Sequence, residues 1–215
     1  MNRSIIKRPL SYSFYNVTLI LIAINVLVFF LTYVAQRSVY IYLTMNPMLV
    51  VNRGYIWQFV TYMFVHGGIS HILFNMLGLF FFGSLLERRL GSNEFLMFYL
   101  VSGVLAGLFS FFVYWFSGSV QVFLLGASGA VYAVLLAYAT YFPDSRIYIM
   151  GILPVRAPIL VLGFTAIALF SQVFSVNAGV AHLTHLAGFG VAFIYLVARL
   201  SINPFRVFFG HGRFR

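Results

Sequence analysis

The sequence predicts an all-α polytopic membrane protein, and three observations point to this class. Of the 215 residues, 62% are hydrophobic and 7% are charged, whereas a soluble domain is roughly half apolar and about a quarter charged. The mean hydropathy is +0.99. The chain also contains six apolar segments, at approximately 17–36, 69–86, 94–115, 127–142, 157–175 and 180–200. We therefore expect a six-helix transmembrane domain over 17–200, preceded by a short segment 1–16 and followed by a basic tail 201–215.

The first apolar segment follows Arg3, Lys7 and Arg8, a pattern shared by membrane spans and secretory signal peptides. A signal peptide has a shorter apolar region, of about 7–15 residues, and a small-residue cleavage site after it. Here the apolar run continues from Val17 to Ala35 and is followed by charge rather than by a cleavage site. The sequence predicts an uncleaved first span.

The connection 38–68 is long, too polar in its middle to be a span, and rich in aromatic residues. These features are typical of a loop that lies partly embedded at the membrane interface. Gly67 and Gly68 separate this first outer loop from the second span. A short charged turn, 87–92, joins the second and third spans, and a connection over 143–156 joins the fourth and fifth.

The positive charges predict the orientation of the spans. With the amino terminus in the cytoplasm, eleven of the 13 Lys and Arg residues lie in inside segments and two, Arg37 and Arg53, lie outside. Basic residues concentrate in cytoplasmic loops, so both termini are predicted to be cytoplasmic. The net charge of +10 is spread over short loops rather than gathered in a stripe, which argues against a nucleic-acid partner.

This orientation brings four polar residues to a similar depth near the outer face. The second, fourth and sixth spans then all run from outside to inside. His71 and Asn75 lie in the first turns of the second span, Ser128 starts the fourth, and His185 lies early in the sixth. Polar groups inside a membrane are costly and are therefore candidates for function.

Ser128 begins a predicted helix after Gly126, where unpaired backbone N–H groups and the helix dipole favour a developing negative charge. Gly129 and Gly188 allow close helix packing, and His185 is a candidate general base. The residues alone also leave a structural interpretation open. Ser128 would then be a small residue where helices pack closely, and His185 would form a hydrogen bond between helices. His71 and Asn75 share one helix face, where they serve either as oxyanion donors or as polar contacts between helices.

The inventory of residues excludes several kinds of active site. The only acids are Glu87, Glu94 and Asp144, and all three map to the cytoplasmic side. Their position excludes a serine–histidine–acid triad and a catalytic carboxylate pair at the outer depth. A cysteine nucleophile is excluded because the chain has no cysteine. A metal pair of His182 and His185 remains open but has no acidic residue nearby to complete it. We expect a serine–histidine dyad without a metal or cofactor. Tyr132, four residues after Ser128, is the candidate to hold the imidazole.

Four motifs in the same order and on the same spans resemble the rhomboid family of intramembrane serine proteases. They are HILFN at 71–75, ERRLGS at 87–92, GASG at 126–129 with Tyr132, and HLAG at 185–188. The resemblance covers about residues 55–200. It implies a six-span bundle with a membrane-embedded first loop. The compact size of the chain predicts a multi-pass protein of a prokaryotic cytoplasmic membrane, and the charge bias predicts an active site that faces outward.

The resemblance implies a role for each matching residue. Ser128 would be the nucleophile and His185 the general base and then acid, with Tyr132 stacked on the imidazole. His71, Asn75 and the Ser128 backbone N–H would bind the oxyanion, and His66 would help to hold the first loop. The substrates would be transmembrane segments of membrane proteins, cut near the outer face. The family usually has Trp-Arg in the first loop, where this chain has Trp57-Gln58.

Two other functions agree with part of the sequence pattern. A catalytically inactive rhomboid-like factor would bind membrane proteins without cutting them, but such members typically lack the serine or the histidine, and this chain has both. A transporter or channel would distribute polar groups across the membrane depth, whereas here the strongest candidates cluster near one face.

Overall fold

The computed structural model describes residues 9–149, 151–174 and 181–210. Three predicted parts lie outside these residues. They are the first half of the segment 1–16, the junction between the fifth and sixth apolar segments, and the end of the tail 201–215. The helices are α1 (Val17–Val34), α2 (Gln36–Leu43), α3 (Pro47–Arg53), α4 (Gln58–Thr61), α5 (Ile69–Gly78), α6 (Ser84–Leu90), α7 (Ser92–Phe116), α8 (Ser128–Tyr141), α9 (Ala157–Phe174), α10 (Ala181–Ala198) and α11 (Pro204–Phe209).

Each of the six predicted apolar segments coincides with helical structure. A π-helical turn, Leu79–Gly83, joins α5 to α6, so that residues 69–90 form one helix of 22 residues. This helix and α7, with 25 residues, are long and apolar enough to cross a membrane. The apolar stretches described within α1, α8, α9 and α10 are shorter. The six-span arrangement itself stays a prediction.

Helix α8 lies at the centre of the bundle, packed between α7 and α10. Small side chains make this possible, because Ala130, Ala133 and Ala137 are almost completely buried. A helix with small residues on several faces lets its neighbours approach closely, and in a bilayer such packing replaces the hydrophobic effect as the source of helix association. The first residue of α8 is Ser128, so the central helix carries the candidate nucleophile.

The first loop forms three short helices, α2 to α4, and is hydrogen-bonded to the segment that leads into α8. The backbones of Met45 and Leu124 exchange two hydrogen bonds, of 3.0 and 2.8 Å. The Gly126 N–H donates to the Tyr62 carbonyl at 2.9 Å, and the Tyr62 hydroxyl donates to the Gly103 carbonyl on α7 at 2.6 Å. The loop therefore fixes the entry to α8.

Gln58 itself anchors the loop at the position where the resemblance leads one to expect arginine. Its side chain is fully buried. The Gln58 amide donates to the Ile41 carbonyl at 2.8 Å, and its oxygen accepts from the Asn46 N–H at 3.1 Å. Beside it, the Trp57 indole donates to the Tyr42 carbonyl at 2.8 Å. A neutral amide thus links two parts of the loop without a buried charge.

The connection 143–156 departs from the all-helical prediction, because it contains an antiparallel hairpin. Strands β1 (Arg146–Ile149) and β2 (Leu153–Arg156) pair in a register that sets Ile147 opposite Val155. β-Branched and aromatic residues favour extended backbone, and Gly151 adopts a φ of +74° in the turn. The prediction treated this stretch only as a link between spans and missed the β propensity of its short apolar runs.

Glu87 ties the start of α1 to the turn between α6 and α7. Its carboxylate accepts hydrogen bonds from the Val17 and Thr18 N–H groups, at 2.7 and 2.9 Å, and from the Ser92 hydroxyl at 2.5 Å. The first N–H groups of a helix have no partner within it, and the helix dipole favours a negative charge there. A buried acid from another helix therefore caps α1.

Glu94 joins three parts of the chain at the same end of the bundle. It forms a bidentate ion pair with Arg199, with nitrogen–oxygen distances of 2.6 and 2.9 Å. It also accepts from the Tyr195 hydroxyl at 2.6 Å and from the Leu10 N–H at 2.9 Å. The end of α10 is thereby fixed to α7.

We expect Glu87→Ala to destabilise the fold, because two N–H groups at the start of α1 lose their acceptor. Each buried donor left unpaired costs about 1–3 kcal/mol. Thermal unfolding in detergent micelles measures the loss. Asp144→Ala removes an exposed acid and should stay within about 0.5 kcal/mol of the wild type. Equal melting temperatures for the two variants would contradict the capping role.

Candidate active site

Ser128 and His185 meet at the interface between α8 and α10. The Ser128 Oγ lies 2.9 Å from the His185 Nε2, which is hydrogen-bonding distance. Ser128 is the first residue of α8, so its hydroxyl sits beside backbone N–H groups that have no partner within the helix. The pair has the geometry of a hydroxyl nucleophile beside its general base.

A contact between two glycines brings these side chains together. A Cβ atom on Gly188 of α10 would lie 2.1 Å from the carbonyl oxygen of Gly129 on α8, so only glycine allows the two backbones to touch. One turn away, the hydroxyls of Thr184 and Ser110 share a hydrogen bond of 2.6 Å that links α10 to α7. These contacts fix the rotation of α10 about its axis, and hence the direction of the imidazole.

Gly126 allows the chain to turn into α8 directly against His71. Its φ of +115° belongs to a region that L-residues rarely adopt. A Cβ atom at this position would also lie 2.8 Å from two atoms of the His71 ring, Cε1 and Nε2. Glycine is therefore needed for two reasons, and the absence of a side chain lets His71 lie next to the start of α8.

Tyr132 lies one turn after Ser128 on α8 and stacks on the His185 ring. The ring centroids are 4.2 Å apart, and the planes differ by 12°. The Tyr132 ring also packs against the rings of Phe164 on α9 and Phe189 on α10, at centroid distances of 6.0 and 5.1 Å. The imidazole is thus held by a flat aromatic surface that is itself packed on two helices.

His71 and Asn75 occupy one face of α5, as their spacing predicts. The Asn75 amide donates to the His71 carbonyl at 2.8 Å, which uses one of its two N–H bonds. The Gly67 N–H donates to the His71 Nδ1 over a long distance of 3.5 Å. This assigns the proton of the neutral ring to Nε2, so both side chains have an N–H available as a donor.

His66 connects the end of the first loop to the start of α8. The residue is buried, and its Nε2 accepts a long hydrogen bond of 3.5 Å from the Ala127 N–H. Its ring packs edge-to-face on His71, with the centroids 5.0 Å apart. His66 therefore contacts both the helix that carries Ser128 and one of the candidate oxyanion donors.

A cavity of about 560 Å³ opens beside the serine–histidine pair, between α5, α8 and α9. Phe74 on its rim is 73% exposed, so the cavity faces the surroundings of the helix bundle through α5. Among the residues that the structure describes, no carboxylate lines it. Its walls are mostly apolar. The lining residues are Ser70, His71, Phe74, Asn75, Gly78, Phe82, Ser128, Val131, Tyr132, Leu135, Phe164 and His185.

The sequence pattern did not predict several residues that the structure places at this site. Ser70 and Thr184 are polar residues next to His71 and His185, so the criterion that selected the histidines also applies to them. Phe82, Leu135 and Phe164 carry no such signal, because an apolar residue in a span is equally consistent with contact to lipid. The side chain of His182 lies outside the described residues, and no group of three His, Cys, Asp or Glu within them is arranged to hold a metal.

Comparison with known proteins places the chain in a family. A model described as the Rhomboid domain matches residues 53–202. The chain belongs to the rhomboid family. Rhomboid protease GlpG of Haemophilus influenzae is 31% identical over 180 residues, 84% of this chain and 88% of the relative. Rhomboid protease GlpG of Enterobacter sp. (strain 638) is 34% identical over 144 residues, 64% of this chain and 48% of that protein.

A third relative, rhomboid protease GluP of Bacillus subtilis, is 30% identical over 122 residues, which cover 55% of this chain and 23% of that protein. The family match contains both histidine motifs and the serine motif, since it extends from the first loop to the end of α10. The rhomboid chain is accordingly an integral membrane protein, in agreement with its composition.

We expect Gly188→Ala in this rhomboid to be destabilising, because the new methyl group would overlap the Gly129 carbonyl. Overpacking of this kind costs about 1–3 kcal/mol. Gly190→Ala is the matched control on the same helix, since a Cβ atom there has open space. It should be neutral or slightly stabilising, as alanine favours helix over glycine. Thermal unfolding in micelles distinguishes the two, and similar melting temperatures would contradict a tight contact at Gly188.

Proposed function

We propose that the chain is an intramembrane serine endopeptidase that cuts transmembrane segments of membrane proteins with a Ser128–His185 dyad. The observation that carries the proposal is the 2.9 Å contact between the Ser128 Oγ and the His185 Nε2 at the edge of an apolar cavity. The names of the relatives, which are rhomboid proteases, agree with this chemistry.

The dyad would act in two steps. In the first, the Ser128 Oγ attacks the carbonyl carbon of the substrate while its proton passes to the His185 Nε2. The imidazolium then gives that proton to the departing amide nitrogen, which leaves an acyl-enzyme. In the second step water attacks the ester, His185 takes a proton from the water, and the serine recovers it as the acid product leaves.

The negative charge on the substrate oxygen would be stabilised by three donors. The Ser128 N–H points from the first turn of α8, and the Asn75 amide and the His71 Nε2–H line the same cavity. Donors fixed before the reaction cost no reorganisation when the charge develops. Tyr132 takes the place of the missing acid, because its stacked ring holds the imidazole in a productive orientation.

The substrate would enter from the bilayer along the apolar side of the cavity. Phe74, Phe164 and Leu135 offer an apolar surface suited to a transmembrane segment. A peptide bond in a helix is hidden behind its own hydrogen bonds, so the cut segment must be unwound locally. Substrates with helix-destabilising residues near the cleavage site are therefore favoured.

The proposed arrangement is a six-span domain over 17–200 with both termini in the cytoplasm. Two of the 13 Lys and Arg residues, Arg37 and Arg53, then lie on the outer side, together with the active site. This charge distribution supports cleavage near the outer face of a prokaryotic cytoplasmic membrane.

We expect a fluorophosphonate probe to label the purified protein at Ser128. Ser128→Ala and His185→Ala should each reduce labelling and cleavage of a model transmembrane substrate at least about a thousand-fold, since the two groups act as a unit. Ser70→Ala, in the same cavity, is the control and should label normally. Labelling that survives in Ser128→Ala, or a wild type that neither labels nor cleaves, would contradict the proposal. The second outcome would favour the inactive binding factor.

We expect Asn75→Ala to lower kcat about 10²–10³-fold with little change in KM, because the lost donor acts on the charge that forms during the reaction. Kinetics on the same model substrate in vesicles measure both constants. Asn75→Asp should lose a similar factor, since a carboxylate cannot donate. A change confined to KM, or an equal fall in melting temperature that explains the loss, would count against the oxyanion role.

A further inference from the structure

A second cavity, of about 160 Å³, lies at the opposite end of the helices from Ser128. It is formed where the segment before α1 and the first turn of α1 pack against the π-helical turn and α6. The cavity is lined by Phe14, Asn16, Thr18, Leu19, Phe80, Ser84, Glu87 and Arg88. None of these residues takes part in the proposed catalysis.

The polar half of this cavity contains a cation and a hydroxyl. The Arg88 guanidinium is exposed, lies 5.4 Å from the centre of the Phe14 ring, and forms no ion pair with another described residue. Ser84 adds a hydroxyl to the lining.

Glu87 is the one acid in the lining, and its charge is already compensated. Both of its oxygens accept hydrogen bonds, two from the start of α1 and one from Ser92. The positive end of the α1 dipole lies against it as well. The uncompensated charge at the mouth of the cavity is therefore the positive charge of Arg88.

The other half of the cavity is apolar and faces outward. Leu19 is 48% exposed and Phe80 is 47% exposed, and both belong to helices of the membrane domain. The polar groups thus lie at the helix ends, with an apolar surface beginning directly beside them. This is the order in which a phospholipid presents its phosphate and its acyl chains at the edge of a bilayer.

We infer that this cavity binds the phosphodiester headgroup of a phospholipid. The phosphate pairs with Arg88, whose planar fork matches two phosphate oxygens. The Ser84 hydroxyl donates to a remaining oxygen, and one acyl chain runs along Leu19 and Phe80. The volume suits a headgroup rather than a whole lipid. The inference is independent of the catalytic chemistry.

Native mass spectrometry of the full chain, released from micelles with phosphatidylglycerol, tests this site. We expect one tightly retained lipid whose apparent Kd rises at least fivefold in Arg88→Gln and in Ser84→Leu, which fills the cavity. Arg89→Gln is the matched control, since Arg89 is the neighbouring exposed arginine and packs instead over Tyr141, 5.7 Å from the ring centre. It should bind as the wild type does.

Two further arms identify the source of the phosphate. Diacylglycerol, with the same chains but no phosphate, should not compete, and inorganic phosphate should compete only at far higher concentration. A photoactivatable phosphatidylglycerol should cross-link to residues 14–19 or 80–88. Equal losses in Arg88→Gln and Arg89→Gln, cross-links confined to other segments, or displacement by inorganic phosphate at lipid concentrations would overturn the assignment. Lipid binding is also measured in the Ser128→Ala variant. The result therefore does not depend on whether the proposed dyad is correct.

Discussion

The site depends on one contact, the approach of α10 to α8 at Gly188 and Gly129. The two backbones touch there because neither residue has a side chain, and a single methyl group would collide with a carbonyl oxygen at 2.1 Å. Helices in a membrane gain nothing from excluding water, so a close backbone contact is among the strongest sources of association available to them. The hydrogen bond between Ser128 and His185 follows from this contact, and its length is set by the separation of the helices.

The far end of the bundle is fixed by charge rather than by small residues. Glu87 caps α1, and Glu94 joins α7 to Arg199 at the end of α10. The two acids hold the membrane helices at one end, while the glycines hold them at the other. A chain with three acids in 215 residues thus uses two of them as structural anchors, away from the candidate active site. Among the described residues, no carboxylate lines the candidate active site at the other end.

The sequence predicted the positions of the helices well. It also singled out Ser128 and His185, whose side chains the structure brings to 2.9 Å, because polar residues stand out in apolar segments. It predicted the loop helices, the hairpin and the π-helical turn poorly. Those features depend on contacts between distant segments, such as the bonds of Gln58 to the backbone of the same loop. Glu87 appeared to belong to a charged turn, since nothing local shows that an acid will cap a helix some seventy residues earlier in the chain.

The π-helical turn Leu79–Gly83 adds one residue to the register of the helix between Asn75 and Glu87. Each residue of an α-helix advances by roughly 100°, so this extra residue sets the facing of the two halves separately. The first half carries His71 and Asn75 beside the candidate cavity, and the second half carries Glu87 beside the start of α1. Deletion of one residue from this turn would rotate one half of the helix relative to the other, even if every other side chain were kept. The spacing between Asn75 and Glu87 is therefore constrained in length as well as in identity.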